Sequence, residues 1–336
     1  MSCTNKNPKN STSTEEVPEY EVFLDRLSQG VLRELGGGYE ARSITNTRNN
    51  GITRRGILIR RLEDRVAPAI YLDGYYEDFC GGTQLSDIVR DVLYIYRGSA
   101  GKEAKPELRE LNLSRESILS GLTVRIISYD RNADLLQELP HIRFLNLAAV
   151  FQIVVYRTTE GMGTIRFTRE HYETCLRHEG RELMTPKELF RLALNNTEQQ
   201  FPAKLSSMEL MLQSLAKGEK VPGLAYRSGR AKEEQSSLYV LTNSEGINGA
   251  GCLLYPGLLK ELLEYFRTAF YILPSSIHEV LLLPAKKPVE REELNDMIRE
   301  INLTQVPQEE VLSDCAYHSD DLEKIVRAML ELPEIS

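Results

Sequence analysis

No CxxC pair occurs in this chain, and its five cysteines, Cys3, Cys80, Cys175, Cys252 and Cys315, are odd in number and widely spaced. That spacing excludes zinc ribbons and CxxC redox motifs, and it suits free thiols in a reducing compartment better than a disulfide framework. A basic excess is also lacking: 41 lysines and arginines stand against 49 acidic residues, a formal net charge of -8. A surface built throughout to neutralise nucleic-acid phosphates is therefore excluded, although a local basic patch is not. No apolar run approaches the ~20 residues needed to cross a bilayer. The longest, Leu145 to Tyr156, is interrupted by Asn146 and Gln152 and reads as a core strand. The opening MSCTNKNPKNSTSTEE has no apolar stretch after its lysines and so lacks the core of a secretory signal. These absences predict a cytoplasmic protein without membrane association.

What is present is ordinary globular sequence: 336 residues, 41% hydrophobic and 27% charged, enough for two domains that each bury a core. Tyr20, Phe23, Leu24, Leu27, Val31 and Leu35 recur at helical spacing, and Gly36, Gly37 and Gly38 end that helix. Asn50-Gly51 between two strand-like runs predicts a hairpin, because both turn positions need positive φ. APAIYLDGYYEDF reads as a short strand entering a loop, with Asp73, Glu77 and Asp78 on a surface turn among tyrosines. The spacing of Leu85, Ile88, Val89, Val92 and Leu93 predicts a second helix. RFLNLAAVFQIVVYR reads as one long strand, paired with TIRFT through EGMG at 160–163. Thr185-Pro186-Lys187-Glu188 is a capping box with proline at the first helical position.

The organisation expected is a polar tail over 1–14, an N-terminal α+β domain over 15–216, a linker over 217–236 and a C-terminal α+β domain over 237–336. The linker assignment rests on KGEKVPGLAYRSGRAKEEQSS, which has no apolar period. Short strands adjacent in sequence and mixed with helices make the fold class α+β rather than a doubly wound parallel sheet.

Four constellations bear on chemistry. Gly246 to Gly251, GINGAG, follows an apolar strand with the glycine spacing of a phosphate-binding loop. Cys252 and Leu253 stand where the lysine and the metal-ligating hydroxyl would be, which favours a packing turn. Any ligand there would meet Gly246, Asn248, Gly249 and Gly251. SSIHEV supplies Ser275, Ser276, His278 and Glu279, the parts of an acyl-transfer triad, although a strand would point Glu279 away from Ser276 and His278. His171, Cys175 and His178 share one helical side but lack a fourth zinc ligand, so neither metal nor cofactor is expected. Arg54, Arg55, Arg60 and Arg61 belong to an arginine-rich hairpin, 42–65, that also carries Arg42, Arg48 and Arg65. Exposed arginine blocks edge-to-edge strand pairing, which is sufficient reason for it.

Taken together, NNGITRRGILIRR, APAIYLDGYYEDF, YDRNADLLQELPHIRFLNLAAV, LTNSEGINGAGCLLYPGLLKEL and YILPSSIHEVLLLP resemble an uncharacterised domain family common in anaerobic gut Gram-positive (clostridial) bacteria. The resemblance runs from about Gly30 to His318 and implies a cytoplasmic bacterial protein, with no functional residue to carry over. The function expected is a non-catalytic binding or regulatory module. One alternative is a hydrolase using Ser276, His278, Glu279 and the glycine loop; another is nucleic-acid binding through the hairpin, against which the net charge weighs. A protein partner is compatible with the sequence, and a small-ligand site, if there is one, is expected between the glycine loop and SSIHEV.

Overall fold

The computed structural model describes residues 19–63, 69–100, 114–158, 161–178, 181–224, 237–274, 276–331 and 335. They group into two compact units. One holds the described residues up to 46 together with those of 53–100, and the other holds 47–52 and those from 114 onward.

The first unit contains α1 (Tyr20–Leu35), β1 (Tyr39–Thr47), β2 (Thr53–Arg61), β3 (Ala69–Tyr71), α2 (Asp73–Cys80) and α3 (Leu85–Ala100). Its sheet has the order β1-β2-β3, with β2 and β3 antiparallel. Phe23, Leu27 and Val31 of α1 pack with Ile57 and Ile59 of β2 and with Ile88 and Val92 of α3. Helices α1 and α3 approach closely at Gly30, where a Cβ would stand 2.7 Å from Val89 Cγ2. Residues 73–80 form a helix rather than the surface turn read from the sequence. The reason is aromatic: Tyr76 and Phe79, one helical turn apart, set their rings 5.0 Å from Tyr20 and 5.1 Å from Phe23.

The second unit opens with α4 (Arg115–Gly121), capped by Ser114, and β4 (Leu122–Ser128). Then come α5 (Ala133–Glu138), β5 (His141–Phe144), β6 (Leu147–Thr158) and β7 (Gly161–Arg166). After α6 (Arg169–Leu176) and the short pair β8 (Arg177–His178) and β9 (Arg181–Glu182), α7 (Pro186–Gln200) starts at the expected capping box. The sequence hides a break here. The stretch read as one strand is the hairpin β5–β6, closed by Leu145 at φ 53 and Asn146. Leucine is poorly suited to positive φ. Tertiary bonds hold the turn instead: Asn146 Nδ2 donates to Ser313 Oγ, its side-chain oxygen accepts from Tyr317, and its carbonyl accepts from Tyr129 N–H.

Next follow β10 (Ala203–Ser207), α8 (Met208–Lys217), β11 (Tyr239–Asn243), α9 (Leu258–Phe266), β12 (Phe270–Leu273), β13 (Val280–Pro284), α10 (Arg291–Thr304), β14 (Tyr317–His318) and α11 (Ser319–Glu331). Strands β4, β5 and β7 all pair with β6 in one sheet, and a second sheet runs β10-β11-β13-β12-β14. Both sheets are antiparallel, and the fold is α+β. One core joins them, with Val124 and Phe151 from the first sheet, Leu241 and Ile272 from the second, and Leu189, Leu262 and Leu322 from the helices. The segment 217–236 runs from the end of α8 to β11, and β10, just before α8, pairs with β11 from Ala203↔Asn243 to Ser207↔Tyr239, so the elements on both sides of it belong to one unit. Its residues 225–236 are outside those described. Among the described residues, no helix is long and apolar enough to cross a membrane.

Candidate functional site

The glycine stretch begins as a side-chain-supported turn. Asn243, the last residue of β11, donates from Nδ2 to the Ile247 carbonyl and accepts at Oδ1 from Glu245 N–H. Gly246 at φ 68 and Asn248 at φ 55 then reverse the chain, and Gly249–Leu254 follow as a buried 3-10 helix. Gly249 sits where no side chain fits, because a Cβ would stand 2.2 Å from Thr242 Oγ1 and 2.4 Å from the His278 carbonyl oxygen. Gly251 is less constrained, with the Val124 carbonyl 3.5 Å from the corresponding point.

The turn meets SSIHEV. Asn248 N–H donates to His278 Nδ1 at 3.2 Å, Ala250 N–H to the Ile277 carbonyl at 3.2 Å, and Thr242 Oγ1 to the His278 carbonyl at 2.8 Å. A phosphate cradle needs free backbone N–H groups, and four of those in this turn are engaged. Besides Asn248 and Ala250, Gly246 donates to the Asn243 carbonyl and Gly251 to the Asn248 carbonyl. The Cys252 thiol is buried, donates to the Thr242 carbonyl, and is pushed up to about 12 by burial.

The histidine is arranged unlike a triad base. In a triad, Nε2 faces the serine while Nδ1–H is held by a carboxylate. Here Nδ1 accepts from a backbone amide, so the proton of the neutral ring sits on Nε2, 3.6 Å from Glu310 Oε1. Ser276 Oγ accepts from His278 N–H at 3.0 Å, a local turn bond. Glu279 is half-buried beside them, and Ser275 lies outside the described residues. The two loops predicted to be neighbours thus are neighbours, joined as a clasp.

Four of the hairpin arginines, Arg42, Arg55, Arg60 and Arg61, find partners within their own unit. Arg55 Nε stands 3.4 Å from Asp73 Oδ1, and its guanidinium lies 3.6 Å above the Tyr20 ring. Arg60 binds Glu40, whose carboxyl is held below its usual range chiefly by that bond, and Arg42 binds the same carboxylate. Arg61 donates to the Tyr39 hydroxyl at 3.1 Å. Arg54 is engaged as well. Of the three possible metal ligands, His171 Nδ1 accepts from Thr168 N–H in a capping box, and its ring stacks on Phe167. Burial pushes the Cys175 thiol up to about 11. The His178 side chain is outside those described. Among the described residues, no group of three or more His, Cys, Asp or Glu is placed to hold a metal ion.

A different feature escaped the sequence. In the first unit a cleft of about 620 Å³ runs between α1 and α3 over Gly30 and Val89, edged by Arg26 and Arg33 on one helix and Arg90 and Arg97 on the other. The acidic residues lining it are Glu34 and Asp87, and Asp87 pairs with Arg90. Arg26, Arg33 and Arg97 have no ion pair or side-chain hydrogen bond among the described residues. The available signal was the seven-residue spacing of each arginine pair, which puts both members on one face of a helix already identified by its apolar stripe.

These features define an α+β protein of two compact units with a basic cleft in the first. The chain belongs to a family of unknown function, DUF5688, whose model matches residues 20–321. No curated protein and no solved structure matches it.

Proposed function

We propose that the protein is a non-catalytic binding module that docks an acidic amphipathic helix of a partner protein in the α1–α3 cleft. The observation that carries this reading is the set of three arginines, Arg26, Arg33 and Arg97, that line the cleft without an ion pair or side-chain hydrogen bond among the described residues, although Glu34 lines it too. A seven-residue separation spans about 10 Å along a helix. Carboxylates seven residues apart on a partner helix match that interval, and an apolar stripe between them would meet the floor at Gly30, Val89 and Leu93. Three exposed apolar side chains belong to the same helices, Tyr94 at 80% exposure, Val22 at 41% and Ile95 at 39%. Tyrosine and arginine are the residue types enriched at the anchors of protein interfaces. The setting proposed is a bacterial cytoplasm, a reading supported by the free thiols Cys80 and Cys315 at the surface.

The test uses a fluorescent helical peptide with a leucine stripe flanked by glutamates at seven-residue spacing, titrated against the full chain by anisotropy. Saturable binding is expected, weakened by salt and reduced about tenfold or more in an Arg26→Glu/Arg97→Glu variant. Equal binding to wild type and variant, or equal binding of a lysine version of the peptide, overturns the docking reading. Robust turnover in a substrate screen, lost in a folded His278→Ala variant, overturns its non-catalytic part.

A further inference from the structure

In the second unit, the sheet around β6 has one face turned to the main core and one turned away. Val124 and Ile126 of β4 enter the main core, so strand alternation puts Thr123, Arg125 and Ile127 on the other face. Opposite them on β6 stand Gln152 against Thr123 and Val150 against Arg125, while Arg166 of β7 stands opposite Gln152 from the far side. Arg166 therefore stands directly beside Gln152 on the next strand, about 5 Å away, and Arg125 lies diagonally across from it on the other side, about 7 Å away, all on one face.

A third arginine belongs to the turn 47–52, which meets this face at Arg166. Arg166 Nη2 donates to the Thr47 carbonyl, which places Arg48 next to it in the chain. The turn is pinned. Asn50 N–H donates to Asn132 Oδ1 at 2.7 Å, Asn50 Nδ2 to the Gln308 and Val311 carbonyls at 2.8 and 2.7 Å, and Asn49 Nδ2 to the Glu309 carbonyl at 2.8 Å.

The half-buried Arg125 makes no side-chain hydrogen bond and no ion pair among the described residues. Burial pushes its guanidinium down to about 10, and Arg166 and Arg48 push it the same way, with no carboxylate opposing them. Guanidiniums withdrawn from water and set beside one another are unfavourable without a countercharge, and the described part of the chain supplies none at Arg125.

We infer that Arg125, Arg166 and Arg48, with the Gln152 amide between them, bind a phosphate-type oxyanion. A lone carboxylate offers two oxygens and one charge. A tetrahedral phosphate offers three or four oxygens and up to two charges, which suits several guanidinium forks converging from different strands. The source is either free inorganic phosphate or the phosphate of a small molecule, and the binding chemistry is the same for both.

The experiment is calorimetric titration of the full chain, in low-chloride buffer, with inorganic phosphate in one arm and adenosine monophosphate in the other. Saturable binding is expected in at least one arm, weakened about tenfold or more by Arg125→Met and by Arg166→Gln. Binding in both arms marks the phosphate group itself as the ligand; binding of the nucleotide alone marks a small molecule that carries it. Arg166 is exposed, so its variant decides the matter if circular dichroism shows Arg125→Met to be unfolded. No saturable heat in either arm at millimolar concentrations, or wild-type affinity in every folded variant, overturns the inference.

Discussion

The backbone amide of Asn248 donates to Nδ1 of His278 at 3.2 Å, and this bond closes the glycine turn after β11 onto the connection between β12 and β13. Asn248 can present its N–H there because it adopts φ 55, a left-handed conformation that asparagine tolerates better than most residues. The ring nitrogen that catalysis would assign to a carboxylate partner is thereby given to the fold.

One prediction concerns the tautomer. With Nδ1 accepting, the neutral His278 ring carries its proton on Nε2, and nitrogen-15 shifts of the imidazole should report that form. The opposite tautomer would remove the clasp. His278→Ala should lower stability by about 1 kcal/mol, the usual net contribution of one hydrogen bond, as read from urea midpoints.

Glycine substitutions separate steric need from backbone need within the same turn. Gly249→Ala drives a Cβ to 2.2, 2.4 and 2.8 Å from Thr242 Oγ1, the His278 oxygen and Asn243 N, which forces the two loops apart. A loss of about 3 kcal/mol is expected. Gly246 has φ 68 and nothing within 4 Å of the same point, so Gly246→Ala should cost only about 1 kcal/mol of backbone strain. Equal costs, or the reverse order, would show that the packing at Gly249 is misassigned.

Alkaline pH gives a third measurement. Burial raises the Cys252 thiol from 9.0 to about 12 and the Cys175 thiol from 9.0 to about 11. In the unfolded chain both ionise near the ordinary value, so their contribution is full below that value and is lost as pH rises through the folded ones. Urea midpoints taken upward from about pH 8 should fall, and Cys252→Ala should flatten the slope. An unchanged slope in that variant would assign the loss to other groups. In the native protein, a thiol reagent should modify the exposed Cys80 and Cys315 well before Cys175 and Cys252.

Much of the fold was legible because its signals are local. The apolar stripes of α1 and α3, the Thr185–Glu188 capping box and the Asn50-Gly51 turn each depend on residues within a few positions of one another, and each is where its pattern places it. What escaped is non-local. The chain turns at Leu145 and Asn146 without glycine, because Ser313, Tyr317 and Tyr129 bind Asn146 from distant segments. Helix α2 is short and charged, and its rings gain their reason from Tyr20 and Phe23.

The sequence by itself determined that GINGAG lacks the lysine and hydroxyl of a phosphate loop, that the fold class is α+β, and that Asn50-Gly51 turns the chain. Only the tertiary structure decided what each polar residue faces. Asn50 looked like a turn residue and also binds Asn132, Gln308 and Val311. The conspicuous hairpin arginines are met by Asp73, Glu40 and Tyr39, whereas arginines spread along α1 and α3 gather at a cleft. Periodicity assigns a side chain to a face of its own element, but the partner across that face comes from packing distant segments together.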